Sequence, residues 1–437
     1  MFRYYLQLAL ARCRRGPAMV ALVVLTMAIG IAACMTALTI FSALEGEPLP
    51  GISRHLYVVT MDAREQSQKD KPAYDTPDAA LKWRDATALM DARPGVPQVA
   101  LAQTQQRVGN PDGPQSDVAN GLLAHGPVLR ELGVPLRFGR PWTDSEQAAR
   151  APVVVIDSNL AQKLFGTEDA VGRSVEIEHH RFRVVGVTAP WKPRTQFIDA
   201  GPYQILAVDT QLFIPVGAAL DAGVGPLNGG ECGEETGVSN FGAVDVQRCR
   251  WLELWAALKT PAEVASYQSF LSAYADAQHR AGRFVYPPHA KLYGTREWMA
   301  LNHVVPRDIA LNMILAGAFL VLCMINVAGL LTARFLRRQA DVAIRRALGA
   351  SWRQVFAQHL VESGLLGLLG GLLALPLTLL GTWIVRKQPV GYAAAAQFGV
   401  GAFLALLALS LLVGMLVGVL PAWRVCRLPP AIQIKQA

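Results

Sequence analysis

The sequence is poor in charge. Only 17% of its 437 residues are Asp, Glu, Lys or Arg, whereas 52% are hydrophobic. Charge is missing altogether from four runs, at 16–44, 309–333, 363–385 and 388–423. Each run is longer than the roughly 20 apolar residues that a helix needs to cross a bilayer, and a helix satisfies its own backbone groups in lipid. We therefore predict four transmembrane helices over these residues.

Clear sequence motifs for catalysis, phosphate binding or metal binding are also missing. The nearest match to a phosphate-binding loop, at 166–174, has five residues between its glycines instead of four, and Arg173 stands where lysine is required. His179 and His180 are adjacent on a predicted strand, so their side chains point to opposite faces and are a poor metal site. No Ser/His/Asp or Cys/His spacing stands out. We therefore predict no catalytic residue, no metal site and no cofactor bound by this chain.

The first uncharged run follows a basic N-terminal segment. The run is too long for the apolar part of a signal peptide, and no clear small-x-small cleavage site closes it, so we interpret it as an uncleaved helix. Residues 1–15 place Arg3, Gln7 and Arg14 on one helical face, opposite Phe2. This pattern predicts an amphipathic helix in the cytoplasmic interface.

Basic residues cluster in the N-terminal segment, in the segment 334–362 and in the tail 424–437. The positive-inside rule places all three in the cytoplasm. Arg386 and Lys387, in the short loop on the other side, are the single exception. Residues 45–308 then form a large extracytoplasmic domain. The net charge of +8 is explained by contact with anionic lipid and requires no nucleic acid.

The exported region begins and ends with similar strand–helix–strand units. In the first, a strand at 55–62 is followed by a helix that we predict to start at Thr76 and Pro77, and by a strand from Gln98. In the second, a strand at 251–259 is followed by a helix from Pro261 to Gly282 and a strand RFVYPP. We predict that 45–110 and 250–308 pair into one porter-like α+β subdomain.

The residues between these units have a different sequence pattern. The stretch APVVVIDSNLAQKLFG indicates a buried strand and a short helix that ends at Gly166, and RSVEIEHHRFRVVGV indicates a hairpin across His179 and His180. We predict an inserted, β-rich subdomain at 111–249. The fold class is thus an α-helical membrane protein with four transmembrane helices and a large α+β extracytoplasmic domain.

Two membrane helices carry a G-x-x-x-G pattern. Gly367 and Gly371 lie in the third helix, and Gly414 and Gly418 in the fourth. Small residues at this spacing let two helices approach closely, so we expect the two patterns to pack on each other. The alternative is the ordinary abundance of glycine in membrane helices.

The segment 334–362, hereafter the elbow, is longer than a simple connection requires. No helix breaker stands between the second membrane helix and Leu348. Gly349 supplies a helix stop, and Ser351 with Gln354 forms a capping box that restarts a helix. That helix runs directly into the third membrane helix, so we predict a helical elbow suited to receiving force or a partner protein.

The elbow and its flanks resemble the signature of the MacB/FtsX-type ABC transporter permeases. The stretch INVAGLLTARFLRRQADVAIRRALGASWRQVFAQHLVESGLLGLLGG carries the family pattern, at Asn326, Asp341, Arg345, Arg346, Gly349, Glu362, Gly370 and Gly371. Asp341 stands where the family usually has glutamate. The stretch PVVVIDSNLAQKLFGTEDAVGRSVEIEHHRFRVVGV and the ending PAWRVCRLPPAIQIKQA also resemble the family, which extends the resemblance over most of the chain.

The resemblance implies a half-transporter in the bacterial inner membrane, with cytoplasmic termini and a periplasmic domain. A pair of separate ABC ATPase subunits, which bind ATP and magnesium, would dock on the elbows of two permeases, and Asn326 would contribute to helix packing. The second permease would be an identical or homologous chain. The residues expected to couple to the ATPase are Arg337, Arg338, Asp341, Arg345, Arg346, Gly349 and Ser351.

The expected activity is mechanotransmission, in which ATP hydrolysis moves the periplasmic domain instead of opening a channel. The resemblance implies efflux of a drug, a peptide or another periplasmic substrate, with an adaptor and an outer-membrane channel as further partners. Lipoprotein extraction and ATP-driven regulation of a periplasmic or cell-wall enzyme stay open. Neighbouring genes for an ATPase, an adaptor and a second permease would separate these functions.

Two of the six cysteines, Cys232 and Cys249, fall in the exported region. A pair of cysteines in an oxidising compartment usually forms a disulfide bond, although two free thiols are the alternative. We expect mass spectrometry of unreduced, periplasmically matured protein to yield a peptide that links Cys232 to Cys249. Two free thiols in that sample would contradict both the pairing and the predicted topology.

Overall fold

The structure is a computed structural model that describes residues 17–63, 78–200, 209–227, 249–286, 289–304, 307–337, 344, 349–387 and 399–427. It divides into two compact units, one made of Met1–Glu45 with Pro306–Ala437 and the other of Gly46–Val305. Its helices are α1 (Pro17–Glu45), α2 (Trp83–Ala92), α3 (Val128–Glu131), α4 (Asp144–Ala148), α5 (Ser158–Phe165), α6 (Val216–Asp221), α7 (Pro261–Arg280), α8 (Thr295–Leu301), α9 (Arg307–Leu336), α10 (Trp352–Arg386) and α11 (Val400–Arg427). Its strands are β1 (Leu56–Thr60), β2 (Ala80–Leu81), β3 (Gln98–Gly109), β4 (Ser116–His125), β5 (Leu136–Gly139), β6 (Val153–Asp157), β7 (Ser174–Ile177), β8 (His180–Thr188), β9 (Leu212–Pro215), β10 (Leu252–Ala257) and β11 (Lys291–Gly294).

The first unit contains the membrane helices α1, α9, α10 and α11. All four are long and apolar enough to cross a membrane, which confirms the four predicted transmembrane segments. α1 packs against α9 and α10, and α11 packs against the same two helices. Direct contacts between α9 and α10 are sparse among the described residues. The second and third membrane helices therefore lie diagonally across the group.

The closest helix approach joins α10 to α11 through their glycines. A Cβ atom on Gly367 would lie 2.7 Å from the Cα of Gly414 and 2.5 Å from the carbonyl oxygen of Ser410. A Cβ atom on Gly418 would overlap the side chain of Ser363, and one on Gly371 would overlap that of Ser410. The two G-x-x-x-G patterns thus face each other, as the sequence predicts, because no side chain larger than hydrogen fits between the backbones.

The second unit is built on one mixed sheet. Among the described residues its main path runs β11-β1-β10-β3-β4-β9-β6-β8-β5, with β2 paired to β10 and β7 paired to β3 and β8. The longest pairing is the antiparallel β3–β4 hairpin, and β4–β9 and β6–β8 are parallel. Apolar clusters cover both faces of the sheet. The domain is therefore mixed α/β, as the predicted fold class requires.

The predicted boundary between the two subdomains of this domain lies within one continuous sheet. The boundary at 110/111 falls in the turn between β3 and β4, and the porter-like strands and the inserted strands hydrogen-bond across it. The strands of both predicted subdomains join in one sheet, because the long β3 pairs with β10 on one side and with β4 on the other.

Several local predictions are correct. Thr260 caps α7 and forms a capping box with Glu263, and Gly282, just beyond the helix, has a φ of +77°. Asp157 caps α5, whose C-cap Gly166 is left-handed with a φ of +69°. Glycine adopts this conformation without the steric cost that other residues meet.

Three local predictions differ from the structure. The helix predicted from Pro77, α2, begins at Trp83, because Ala80 and Leu81 pair with β10 as a short strand. Thr76 and Pro77 lie outside the described residues.

The second difference is at residues 283–286, which are not a strand. Arg283 is drawn to Asp85 on α2 by a 2.7 Å ion pair, and the strand that pairs with β1 comes later, at β11.

The third difference concerns the hairpin at the histidines. Its turn residues are Glu178 and His179, with φ of +49° and +67°, and Ile177 pairs with His180. The predicted turn is therefore displaced by one residue. Positive φ at both central residues is the conformation that joins two twisted antiparallel strands through a two-residue loop.

The structure describes the side chains of three of the six cysteines. Cys34 and Cys323 are free thiols buried in the membrane unit. Cys249 is fully buried and is disulfide-bonded. Cys232 lies outside the described residues, so its pairing with Cys249 stays a prediction.

The glycine contact predicts a position-specific cost in the membrane unit. Gly367→Leu should destabilise the protein by at least the ~1–3 kcal/mol typical of overpacked cores, because its side chain would collide with the backbone of α11. Gly329→Leu is the matched control, since a Cβ atom there meets nothing within 4 Å. Unfolding of both variants in detergent measures the difference. Equal stabilities would contradict the close approach of α10 and α11.

Candidate coupling site between the second and third membrane helices

The two ends of the elbow are joined by a buried ion pair. Arg334, in the last turn of α9, places Nη2 3.1 Å from Oε1 of Glu362 on α10. Their side chains are only 5% and 1% exposed. Arg334 and Glu362 are also the first and last residues of the elbow, so this contact closes the segment at its base.

Two aromatic residues lie beside the ion pair. His359 precedes Glu362 by one helical turn, with Nδ1 4.0 Å from Oε2 of the glutamate. The ring of Phe335 lies 4.2 Å from the His359 ring, measured between centroids, and both residues are 1% exposed. We call Arg334, Phe335, His359 and Glu362 the base cluster. Each helix supplies two of its members, so the cluster is a direct link between α9 and α10.

The ion pair restricts how these helices can separate. Removing two charges from water is costly, and their attraction offsets that cost only while the pair is intact. Breaking a buried pair by deleting one partner typically costs about 3–5 kcal/mol, because the other charge is left buried. The arrangement therefore favours conformations in which α9 and α10 stay in register at this end.

The restart of the helix follows the sequence prediction. Gly349 has a φ of +96°, a backbone conformation that suits glycine. Ser351 caps α10: its hydroxyl accepts a hydrogen bond from the Gln354 backbone N–H at 3.4 Å, and its own N–H donates to Gln354 Oε1 at 3.1 Å. From Trp352 the helix continues for 35 residues to Arg386 and includes Pro376. The part of the elbow from Trp352 onward and the third membrane helix are thus one helix.

The described part of the second membrane helix ends at Leu336, and Arg337 lies in a turn. Residues 338–343 and 345–348 lie outside the described residues, so the predicted helical course of the elbow to Leu348 stays a prediction. No breaker residue marks the end. It falls directly after Arg334 and Phe335, the residues that turn inward to the base cluster, and assigned helix ends vary by a residue or two.

The predicted coupling residues are only partly described. Arg337, Gly349 and Ser351 are exposed, as a docking surface requires. Arg338, Asp341, Arg345 and Arg346 lie outside the described residues. The role of all seven in binding an ATPase stays a prediction.

The packing role predicted for Asn326 stays a prediction, since the residue is exposed in this single chain. Asn326 is exposed on α9 beside Ile325, which is 63% exposed. The helix turns Cys323, Val327 and Leu331 inward at intervals of four residues, and Asn326 is offset from that face by about 100° per residue.

The base cluster was not predicted as a unit. The sequence signal for it is that Arg334 and Glu362 are the charges at which the second uncharged run ends and the third begins. Their pairing requires knowing that these two helix ends meet, and hydropathy does not contain that information. Among the described residues, no group of three or more His, Cys, Asp or Glu side chains could hold a metal ion.

Comparison with known proteins agrees with this architecture. The MacB-like periplasmic core domain matches residues 20–268, more than half of the chain, and the FtsX-like permease C-terminal domain matches residues 313–430. Four membrane helices, an α/β domain inserted in the sequence between the first and the second, and an elbow after the second are the architecture of a permease of the ABC transporter class. The chain belongs to the MacB/FtsX family of ABC transporter permeases.

Individual relatives are distant. The chain is 24% identical to the macrolide export ATP-binding/permease protein MacB of Bdellovibrio bacteriovorus, over 67% of this chain and 40% of that protein. It is 25% identical to the pyoverdine export ATP-binding/permease protein PvdT of Pseudomonas syringae pv. tomato, over 75% of this chain and 44% of that protein. The crystal structure of the periplasmic region of MacB from Actinobacillus actinomycetemcomitans has 15% identity and a TM-score of 0.34, over 56% of this chain and 92% of that one. The chain spans less than half the length of these two curated relatives.

The base cluster predicts non-additive stability. Glu362→Ala should cost about 3–5 kcal/mol, because Arg334 is left buried without this partner, whereas the double variant Arg334→Leu/Glu362→Leu should recover most of the loss. Unfolding in detergent measures both. The exposed pair Lys291–Glu297, at 3.2 Å with side chains 52% and 54% exposed, is the control, and Glu297→Ala should cost less than about 1 kcal/mol. A double variant as unstable as the sum of its single variants would contradict the pairing.

Proposed function

We propose that this chain is the permease subunit of an ABC transporter that works by mechanotransmission. A pair of separate ATPase subunits docks on the cytoplasmic elbows of two permeases. Closure of the ATPases on ATP displaces the elbows, and the membrane helices pass that displacement to the periplasmic domains. The observation that carries the proposal is the buried Arg334–Glu362 pair, which joins both ends of the elbow.

The pair makes the elbow an efficient receiver of force. A connection with free ends would absorb a displacement by bending. Because its ends are bound to each other, the elbow moves α9 and α10 together. α10 adds length to the path, since 35 helical residues span about 52 Å at ~1.5 Å per residue.

The membrane runs favour force transmission over a conventional pore. Charged side chains within a bilayer usually mark a substrate or ion pathway. The first two runs, 16–44 and 309–333, contain none. Thr36 and Thr39 on α1 donate their hydroxyls to carbonyl oxygens one turn earlier in their own helix, which leaves a largely apolar surface. Work on the substrate is therefore assigned to the periplasmic side.

Export is the proposed direction. The relatives are named for macrolide and pyoverdine export, which favours an efflux substrate over regulation of another enzyme. The second permease is an identical or homologous chain, and a periplasmic adaptor with an outer-membrane channel would complete the route.

Charge reversal in the elbow tests the docking. Arg345→Glu/Arg346→Glu should reduce co-purification of the ATPase by at least tenfold, about 1.4 kcal/mol, because two arginines of the proposed contact are reversed. Quantitative pull-down of the ATPase with the tagged permease is the measurement.

The matched control reverses two charges at the other end of α10. Arg386→Glu/Lys387→Glu alters the net charge equally, but these residues lie on the predicted periplasmic side, so ATPase binding should stay at the wild-type level. If both double variants bind the ATPase as wild type does, Arg345 and Arg346 serve only as topology signals, and the proposed contact is wrong.

A further inference from the structure

Residues 191–200, hereafter the strap, cross the sheet of the exported domain as an irregular segment. Its first residue, Trp191, accepts a hydrogen bond at its carbonyl oxygen from the Thr210 N–H at 3.2 Å. Near its other end, the carbonyl oxygen of Ile198 accepts bonds from the side-chain amides of Gln103, at 2.9 Å, and Gln196. The strap is thus held at both ends by polar contacts and not by a strand ladder.

One further contact ties the strap to a buried acid. Oε1 of Glu253, on β10, accepts a hydrogen bond from the Asp199 N–H at 2.8 Å, and Oε2 accepts one from Trp255 Nε1 at 2.9 Å. Phe197 packs edge-on against the ring of Trp255, with centroids 5.2 Å apart. The strap therefore covers the Glu253 carboxyl group and shields it from water.

Asp199 adopts an uncommon backbone conformation at this contact. Its φ is +51°, in the left-handed region, which aspartate tolerates better than most residues other than glycine. Neighbouring contacts hold the residue in this conformation. The hydrogen bond to Glu253 is one of these contacts, so loss of that bond favours release of this end of the strap.

The charge around Glu253 opposes its ionisation. Burial is the largest effect, and the nearby carboxyl groups of Asp199 and Asp78 add to it, so the pKa of Glu253 is raised to about 8 despite the two donated hydrogen bonds. The other charged groups on the described elements around Glu253 are Lys82, directly after β2, and Arg250, which pairs with Asp78. Arg107 lies near the end of β3, and Lys192 and Arg194 lie on the strap itself. Below that pKa the site holds a neutral acid, and above it a buried carboxylate.

A small cavity lies beneath the strap. It has a volume of about 30 Å³ and is lined by the polar side chains of Gln103, Asn120, Gln196 and Thr210 together with Trp191. This volume holds one or two water molecules.

We propose that the strap is a proton-controlled cover, closed over the cavity while Glu253 is protonated and lifted when Glu253 loses its proton. Lifting admits water to the carboxylate, which removes the cost of its burial. The direction of the pH dependence follows from the proton affinities of the closed and open states of the strap. The closed state binds the proton more tightly than the open state does, so closure is most favoured in acid and weakens as pH rises toward the pKa of the closed state.

The strap also contacts the chain that leaves the first membrane helix. The Arg194 N–H donates to the carbonyl oxygen of Pro48 at 3.0 Å, and Pro48 is three residues beyond Glu45, the last residue of α1. The proton-controlled segment is therefore attached to the start of the exported domain.

Hydrogen–deuterium exchange of the full chain in detergent tests the proposal. The variant Glu253→Gln stays neutral at every pH and leaves the strap sequence unchanged, so the ratio of wild-type to variant exchange rates cancels the intrinsic effect of pH. In amides 194–200 this ratio should rise with pH, by at most about tenfold per unit between roughly pH 5 and 8, and then level off. A ratio that stays constant across this range would overturn the proposal.

A second variant keeps the test decisive if Glu253→Gln disturbs the sheet, which exchange in the β3–β4 hairpin would reveal. Asp199→Asn removes a negative charge facing Glu253, and asparagine tolerates positive φ as aspartate does. The rise in strap exchange, compared with exchange of the hairpin in the same sample, should move to lower pH. An unmoved midpoint would mean that Glu253 does not control the strap.

Discussion

The membrane unit depends on one constraint, the burial of Arg334 and Glu362 against each other. α9 and α10 lie diagonally among the four membrane helices and meet mainly through α1 and α11. At the elbow they meet directly, because neither charge can be left alone in an apolar setting without a large free-energy cost. A hydrophobic contact would tolerate sliding by a residue, whereas a short ion pair with Phe335 and His359 beside it fixes one register. The pair therefore specifies the position of the helices more than it adds to their stability.

The rest of the membrane unit is consistent with force entering at this point. α10 continues from the elbow without interruption, and its glycines bring α11 to backbone contact, so these two helices behave as one body. α1 packs on α9 and α10, and α1 and α9 are the helices whose chains continue into the α/β domain. In that domain the single sheet joins the porter-like strands to the inserted strands, which suits a body that is moved as a whole. The strap is the exception, since side-chain hydrogen bonds and a titratable group hold it in place.

Hydropathy and capping chemistry predict most of the architecture. Long uncharged runs predict membrane helices, and the Thr260 and Ser351 caps act through atoms a few residues away, so sequence alone contains the necessary information. The predictions that were wrong concern residues whose partners are distant in the sequence. The short strand at Ala80 forms because it pairs with β10. Residues 283–286 do not form the predicted strand, and Arg283 forms an ion pair with Asp85 on α2. Arg334, Glu362 and Glu253 are single charged residues whose roles come from burial, which the tertiary fold alone determines.

The central claim is that the base cluster passes motion from the elbow to the membrane helices. The most direct measurement is the ATP-induced change in distance between fluorophores attached at Lys163, which is exposed on α5, in the two permeases of a reconstituted complex with its ATPase. The comparison is between wild type and Arg334→Leu/Glu362→Leu, at equal ATPase occupancy. We expect ATP to change the distance in wild type and to change it much less in the variant, because the elbow then flexes at its base. An equal change in both complexes would contradict the account.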